Sequence, residues 1–405
     1  MVTERLYHYN SYQITFQANI VDKYVDKGKY ALILNQTRFY PTSGGQICDK
    51  GTIEEIPVID VEEVNGEIIH YLQNELSSDI GECVSGKIDW RDRFDHMQQH
   101  TGQHILSGAL MKLWQKDTQS FHMGKDICTI DIPALDIDEQ KIKLIEEMTN
   151  QIIYENRSIY HYFLKNNIGL TEKKLRKKQE KLDQLRIIEI ENFDRSACGG
   201  THCQHTGEVG IIKINSWENR KDKIRISFLC GYRALADYQK KHNITSYLSH
   251  FFTTGVEQLT EKIIKLDQEQ KELSKLYKKM EREAIPREVE DLKREHYYEQ
   301  KGIFVIKKLF CEKNSLNLRQ IAYLLSKEEK YVIILGAEQP EPVLCLACSA
   351  DVKHNIKEVI EQVSQKFKGK GGGTDRVAML KLENLKDIKS AFQMAVDYLA
   401  GQEFQ

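Results

Sequence analysis

Two short motifs carry side chains that bind transition metals. His100 and His104 stand four residues apart in HTGQH, and a helix places residues at that spacing on one face. Cys198 and His202 have the same spacing in CGGTH, where paired glycines let the backbone turn tightly and point both side chains one way. Three imidazoles and one thiolate suit tetrahedral Zn²⁺. The sequence therefore predicts one zinc ion per chain at these four residues.

Either motif alone is weak evidence, because an HxxxH pair is more often an incidental surface or capping arrangement. Cys203, His205 and His96 are extra candidate ligands, and His96 lies four residues before His100 on the same helical stripe. We expect His96 and His205 to be structural or to lie outside the ligand set. The alternative for the whole set is a closed zinc site that only stabilises the fold.

The residues between the two histidines limit the chemistry. HTGQH lacks the glutamate that acts as general base in HExxH metalloproteases, so a peptidase is not favoured. An activated ester needs less assistance, and zinc or ordered water can supply it. An aminoacyl ester on a ribose is such a bond. No side chain stands out as a general base.

A glycine-rich turn precedes these motifs in a segment with several aromatic residues. Its sequence is Phe39-Tyr40-Pro41-Thr42-Ser43-Gly44-Gly45-Gln46. Taken alone, Thr42–Gln46 is typical of an ordinary β-turn, since serine and glycine favour turns.

The combination of HxxxH, CGGTH and the SGGQ turn resembles the editing domain of alanyl-tRNA synthetase and the free-standing alanyl-tRNA editing proteins of the AlaX group. Further segments also look like that family; they are residues 120–124, 128–131 and 208–210. The Gly-rich stretch Lys370–Gly373 resembles the C-terminal domain of alanyl-tRNA synthetase that DHH phosphoesterases share. The resemblance covers nearly the whole chain. Two departures are that no aminoacylation domain precedes the editing region and no Asp-His-His triplet is present, so a free-standing editor of the long type is expected.

The resemblance implies a site and a substrate. His100, His104, Cys198 and His202 would hold zinc, while Gln46 and Thr42 or Ser43 would line the aminoacyl pocket, with Thr201 as a further partner. The expected reaction is hydrolysis of serine from mischarged tRNA(Ala), since a synthetic pocket rejects an added hydroxyl only about a hundredfold. Glycine is a second candidate substrate. The predicted RNA contacts are Lys370, Gly371, Gly372 and Gly373. The alternative is a zinc-stapled tRNA-binding protein without hydrolytic activity; a hydrolase of an unrelated small ester ranks third.

The surrounding pattern predicts an α+β chain of four parts. Residues 1–90 are expected to form a small β-barrel, residues 91–240 a two-layer α/β editing domain with zinc, residues 241–300 a coiled coil or helical hairpin, and residues 301–405 a small α/β domain. Heptad spacing over residues 256–280 favours a coiled coil or hairpin and makes a homodimer through this segment an option. Pro286 is expected to break the helix or mark its turn.

Composition excludes little beyond membrane and secreted classes. The 405 residues are 40% hydrophobic and 29% charged with a formal net charge of -2, and no apolar run approaches the roughly 20 residues that span a bilayer. Nine irregularly spaced cysteines and the lack of a signal peptide favour the cytosol. A basic stretch from Lys173 to Arg186 suits RNA, but a solvated helix face is the more economical interpretation.

Overall fold

The computed structural model describes residues 2–165, 184–295, 297–300 and 302–401, which divide into two compact units, residues 1–251 and 252–405. The first unit contains fifteen strands and three helices among its described residues. They are β1 (Glu4–Arg5), β2 (Thr15–Asp26), β3 (Lys29–Leu34), β4 (Gln36–Thr37), β5 (Gly51–Ile53), β6 (Ile56–Val64), β7 (Glu67–Leu72), β8 (Cys83–Ile88), α1 (Trp90–Trp114), β9 (Ser120–Met123), β10 (Cys128–Pro133), α2 (Glu139–Tyr154), β11 (Ile159–Lys165), β12 (Gln184–Ile190), β13 (Asp194–Ala197), β14 (Ile212–Arg220), β15 (Lys223–Cys230) and α3 (Gly231–Phe252).

The N-terminal strands close into a barrel in the order β2-β3-β7-β6-β5-β8. Alternation of apolar and polar residues along β2 places Phe16, Ala18 and Ile20 inside and their neighbours outside, as the period of a strand requires. The barrel core is therefore built from one face of each strand, and the loop that carries the SGGQ turn leaves it between β4 and β5.

The central part combines a four-stranded antiparallel sheet, β14-β15-β10-β9, with a three-stranded one, β11-β12-β13. Helices α1 and α2 pack with the four-stranded sheet around one apolar core. Asp89 caps α1 by accepting from the amides of Arg91 and Asp92, and the helix ends at Gln115 in the left-handed conformation. Residues 96–110 of α1 are all buried, so its polar side chains must find partners inside the protein.

The second unit is a three-layer α/β domain. Its elements are α4 (Leu259–Glu295), β16 (Tyr297–Gln300), β17 (Ile303–Glu312), α5 (Ser315–Leu325), β18 (Tyr331–Gln339), β19 (Val343–Cys348), α6 (Ile356–Lys366), β20 (Gly369–Gly373), β21 (Val377–Leu382) and α7 (Ile388–Gly401). The sheet has the order β16-β17-β18-β19-β21-β20. Helices α6 and α7 cover one face, and α5 with the end of α4 covers the other. The predicted α+β class is confirmed.

Helix α4 corrects the prediction made for Pro286. The helix runs through this proline without a break, and residues on both sides of it are held by tertiary packing. Ile285, Val289 and Leu292 are buried in the core of the second unit, which offsets the hydrogen bond that proline cannot donate. The end of the expected 241–300 arm is thus part of the C-terminal domain core, and the boundary at residue 240 falls inside α3.

Among the described helices none has the length and apolar character needed to cross a membrane. All nine cysteines lie in described segments and are free thiols. Of the basic stretch, residues 173–181 lie outside the described residues, while Arg186 is a buried residue of β12 rather than part of a solvated face.

Candidate metal centre

Helix α1 and the loop after β13 bring the two predicted motifs together. His100 and His104 lie on α1, and Cys198 and His202 frame the loop that follows β13. One ligand atom from each residue lies within 4.8 Å of every other, and within the described residues this is the group identified as able to hold a metal. The Cys198 sulfur is 3.4 Å from His100 Nε2 and 3.3 Å from His202 Nε2. The predicted four-residue cluster is therefore present.

Arg186 holds the CGGTH loop in shape. Its Nη1 donates to the carbonyl oxygens of Cys198 at 2.9 Å and Gly200 at 2.7 Å, and the guanidinium is almost wholly buried. Close packing then brings the loop against the helix, because a Cβ at Gly200 would lie 2.2 Å from His100 Cε1. Only glycine at position 200 permits this approach.

Gln46 links the barrel to the candidate metal ligands. Its Oε1 accepts from the backbone amide of Thr201 at 3.2 Å and lies 2.8 Å from His100 Nδ1. Because an amide oxygen can only accept, His100 must carry its proton on Nδ1, which leaves Nε2 with a lone pair facing the cluster. The Gln46 Nε2 donates to Thr201 Oγ1 at 2.9 Å. All polar atoms of this fully buried amide are thus engaged.

The SGGQ turn packs against strand β9. Gly45 has φ +86°, and a Cβ there would lie 2.3 Å from the carbonyl oxygen of Phe121, so the position requires glycine. Met123 donates its amide to the Gly45 carbonyl at 2.8 Å. The Phe121 ring stacks on His100 with centroids 5.3 Å apart. These contacts explain how a turn in the barrel delivers Gln46 to helix α1.

The other two imidazoles also have hydroxyl partners on Nδ1. Ser196 Oγ lies 2.8 Å from His104 Nδ1, and Thr101 Oγ1 lies 3.4 Å from His202 Nδ1. Partners of this kind orient histidines that bind metals and raise their basicity. Each of the three rings therefore has its Nε2 available for an ion.

The electrostatic environment favours the forms that bind metals. Burial would raise the pKa of the Cys198 thiol, but His100 and His202 beside the sulfur hold that pKa well below its ordinary value. Burial, with His100 nearby, holds the pKa of His202 well below its ordinary value. A thiolate and neutral imidazoles are the protonation states in which these side chains act as ligands.

A cavity of about 180 Å³ lies beside the cluster. His202, Arg186, His161 and Tyr12 are among its lining residues, and no carboxylate from the described part of the chain lines it. Burial and the neighbouring Arg186 lower the pKa of His161. With the Arg186 guanidinium in its wall and no acidic residue among its described lining, the cavity suits an anionic or oxygen-rich ligand.

The other predicted site residues are placed less centrally. Thr42 and Ser43 are exposed; Thr42 Oγ1 accepts from the amide of Cys48, and the Ser43 backbone pairs with Gln46. Thr201 is buried against Gln46. Lys370 to Gly373 form the exposed edge strand β20 of the second unit.

His96 and His205 lie outside the metal cluster. His96 is buried with its Nδ1 3.9 Å from Asp49 Oδ1, whereas His205 begins a short turn in which Glu208 Oε1 accepts its amide.

Sequence reasoning missed the residues that support the ligands. Arg186, Thr101, Ser196 and Asp194 have no motif of their own, and their roles follow from contacts across strands and helices. One signal was present in the chain, because Asp194 and Ser196 stand immediately before CGGTH and enter the site with it.

Three family models match separate parts of the chain. "tRNA synthetases class II (A)" matches residues 4–92, "Threonyl and Alanyl tRNA synthetase second additional domain" matches residues 185–227, and "DHHA1 domain" matches residues 304–401. With the fold and the cluster, these matches place the chain among proteins that share domains with tRNA synthetases.

The similar proteins narrow this class. The chain is 31% identical over 404 residues to the alanyl-tRNA editing protein AlaX-L of Pyrococcus horikoshii, covering 94% of this chain and 95% of that protein. It is 30% identical over 405 residues to the alanine–tRNA ligase of Pyrococcus furiosus, covering 96% of this chain but 43% of the ligase. The ligase of Pyrococcus abyssi is 28% identical over 411 residues, with 98% and 44% covered. The chain belongs to the AlaX-L family of alanyl-tRNA editing proteins, which confirms the resemblance found in its motifs.

Proposed function

We propose that this protein hydrolyses the ester between a wrong amino acid, serine, and tRNA(Ala), at a zinc ion held by His100, His104, Cys198 and His202. The observation that carries the proposal is the convergence of these four ligand atoms within 4.8 Å, in a chain that aligns over 95% of AlaX-L. Editing of mischarged alanine tRNA is the activity that the name of that relative describes.

The donor set fits zinc on chemical grounds. Nitrogen and thiolate ligands suit a borderline-soft ion, and the rings present Nε2 because their Nδ1 atoms are hydrogen-bonded elsewhere. When bound, zinc would supply Lewis-acid polarisation or orientation of an ester oxygen or ribose hydroxyl. Water is expected to attack the ester carbonyl and its proton to pass to the ribose oxygen that leaves; the described cluster contains no carboxylate that could act as the base.

The chain's own residues then bind and select. The cavity beside His202, with Arg186 in its wall, is suited to the oxygen-rich 3′ end of RNA. Thr42 and Ser43 are the exposed members of the predicted pocket and are available to a serine hydroxyl. Gln46 and Thr201 are buried, and we infer that they act by holding His100 and the loop in place. A site that hydrogen-bonds a hydroxyl disfavours alanine, because its polar partners would stay unpaired.

The test is the initial rate of amino acid release from Ser-tRNA(Ala), with Ala-tRNA(Ala) and Gly-tRNA(Ala) compared, for wild type and Cys198→Ala. We expect rapid release of serine, little release of alanine, and loss of release in Cys198→Ala while circular dichroism shows the fold retained. Tight RNA binding with no release from any ester would instead support a zinc-stapled tRNA-binding protein. The rate with the glycine ester decides whether the hydroxyl is required.

The second unit is proposed to contact the body of the RNA. Lys370 is exposed on edge strand β20, and a Cβ at Gly372 would meet nothing within 4 Å, so this strand is open to close approach by a phosphate backbone. Replacing Lys370 with glutamate should weaken RNA binding and its dependence on salt, while Lys353→Glu, an exposed control in the same unit, should change both less. Equal effects of the two substitutions would contradict a specific contact.

Residues 256–280 are proposed to pair with a second copy of the chain. Several apolar heptad positions of α4 are exposed in the single chain; they are Ile263, Leu266, Leu273, Tyr277 and Met280. Sedimentation equilibrium should show a dimer for wild type and a shift toward monomer for Leu273→Glu, with Lys275→Glu at a neighbouring non-seam position as control. A monomeric wild type would contradict the pairing.

The free thiols of all nine cysteines suit the reducing cytosol as the site of action.

A further inference from the structure

The strand before Cys198 carries two side chains that lie near the candidate ligand His104. Strand β13 runs directly into CGGTH, and the side chains of two of its residues, Asp194 and Ser196, point back to His104 on α1. Both side chains are nearly inaccessible to solvent, since Ser196 is 5% exposed and the side chain of Asp194 is 6% exposed. A buried carboxylate and hydroxyl next to a ligand histidine call for a functional explanation.

The hydrogen bonds among these groups have one consistent direction. Ser196 Oγ lies 2.8 Å from His104 Nδ1 and 3.4 Å from Asp194 Oδ2, and Asp194 Oδ2 lies 3.9 Å from the same Nδ1. A carboxylate only accepts, so the hydroxyl gives its hydrogen to Asp194 and accepts from the Nδ1–H of His104. His104 is thereby fixed in the tautomer whose Nε2 carries a lone pair.

Within the described part of the chain, the other two histidines have different partners on Nδ1. His100 Nδ1 faces the neutral amide oxygen of Gln46 at 2.8 Å. His202 Nδ1 faces Thr101 Oγ1 at 3.4 Å, and that hydroxyl also accepts from the amide of Cys203 at 3.0 Å. The contact of His104 thus combines a short hydrogen bond with a negative charge behind the hydroxyl, which makes this ring the most firmly held of the three.

The turn before β13 is docked on the same helix that carries His104. The Phe193 ring packs against α1 at Gly108, where a Cβ would lie 2.6 Å from Phe193 Cε1. Lys112 Nζ lies 4.5 Å from the centre of that ring. This packing of the turn against α1 fixes the positions of Asp194 and Ser196 relative to His104.

We propose that Asp194 and Ser196 are positioning residues that hold His104 with Nε2 facing the ion and thereby set how tightly the protein retains zinc. The inference rests on the zinc site of the proposed function. Neither residue needs to touch the substrate, and their effect is transmitted through the orientation of one ligand.

The test is zinc affinity, measured by competition with a chromophoric chelator on the full-length protein. Ser196→Ala and Asp194→Asn should each bind zinc about 10- to 100-fold more weakly than wild type. Ser196→Thr retains the hydroxyl and should restore most of the affinity. The matched control is Ser107→Ala on α1, a buried hydroxyl bonded to Thr118 at 2.5 Å and Gln103 at 2.7 Å, which should leave the affinity unchanged.

A second readout distinguishes positioning from a general loss of stability. Nitrogen-15 spectra of the histidines should show His104 as a single Nδ1–H tautomer in the zinc-bound wild type and a mixture, or ring exchange, in Ser196→Ala. Unchanged zinc affinity and an unchanged tautomer in both variants, with a wild type that binds one equivalent, would overturn this inference alone. A wild type that binds no zinc would overturn both this inference and the proposed metal site.

Discussion

An added methyl group should disrupt the site at Gly200 of CGGTH and leave it intact at the adjacent Gly199. In Gly200→Ala the new Cβ would lie 2.2 Å from His100 Cε1, 2.4 Å from His100 Nδ1 and 2.9 Å from Gln46 Oε1. Carbon atoms in contact sit about 3.5–4.0 Å apart, so the ring or the loop must retreat by more than about 1 Å. Metal–ligand distances tolerate only about 0.2 Å.

The displacement removes His100 from the ligand set or breaks its bond to Gln46. Loss of one residue that hydrogen-bonds to a metal ligand weakens metal binding about 10- to 100-fold. We therefore expect Gly200→Ala to weaken zinc binding by a larger factor. Chelator competition gives the affinity, and thermal denaturation followed by circular dichroism separates a local loss from unfolding. Activity on Ser-tRNA(Ala) should fall together with zinc content.

Gly199→Ala is the matched control. The nearest atom to a Cβ at position 199 is His8 Nε2 at 3.9 Å, an ordinary van der Waals contact. This variant should bind zinc and release serine like wild type. Equal zinc affinity of the two alanine variants would refute the close packing of the loop against His100 from which the prediction is worked.

Three further predictions concern the stability of the two units, each taken by itself. Arg93→Met leaves the buried Asp49 without its bidentate partner, whose two hydrogen bonds measure 2.6 and 3.0 Å, so urea denaturation should show a loss of about 3–5 kcal/mol in the free energy of unfolding. Adding Asp49→Asn should restore part of this loss, and purely additive effects of the two substitutions would contradict the pairing. Burial lowers the pKa of His70 to about 4, so the unfolded state binds more protons than the folded state as the pH falls from 8 to 5, and the free energy of unfolding should decline by about 2 kcal/mol. His70→Gln should reduce this pH dependence, and an unchanged dependence would contradict the role of His70. Ile285→Ala, beside Pro286, should destabilise the second unit by about 2–5 kcal/mol in thermal unfolding, and a change below about 0.5 kcal/mol would show that packing does not hold the helix there.

The ligand set was open to prediction because its information is local. Residues four apart in HTGQH share a helix face, and the glycines of CGGTH permit a tight loop, so the two motifs together predicted the cluster although either alone was weak evidence. Strands around the barrel were likewise visible as alternating segments. What local spacing cannot supply is the partner across the fold. Gln46 and His100 are 54 residues apart in the sequence but in contact in the fold. Arg186 binds carbonyl oxygens of the CGGTH loop, and nothing in the loop sequence indicates that an arginine will contact it.

Pro286 shows the opposite failure, in which a correct local rule is outweighed by packing. Proline lacks an amide hydrogen and disfavours a helix interior, yet α4 continues because Ile285 and Val289 are buried against the second unit. For Thr42 and Ser43 the pocket role stays a prediction. Their residue types suit recognition of a hydroxyl and the turn leaves both side chains exposed, while Gln46 of the same turn is buried.

Zinc dependence of the proposed hydrolysis is tested by measuring serine release from Ser-tRNA(Ala) with one preparation before and after removal of metal. The protein is stripped with a chelator, its zinc content is determined, and zinc is returned in steps below and above one equivalent. We expect release to stop in the stripped protein and to recover in proportion to the zinc returned, with a plateau at one ion per chain. Full release by protein that holds less than about a tenth of an equivalent would contradict a zinc site at His100, His104, Cys198 and His202 as the centre of the activity.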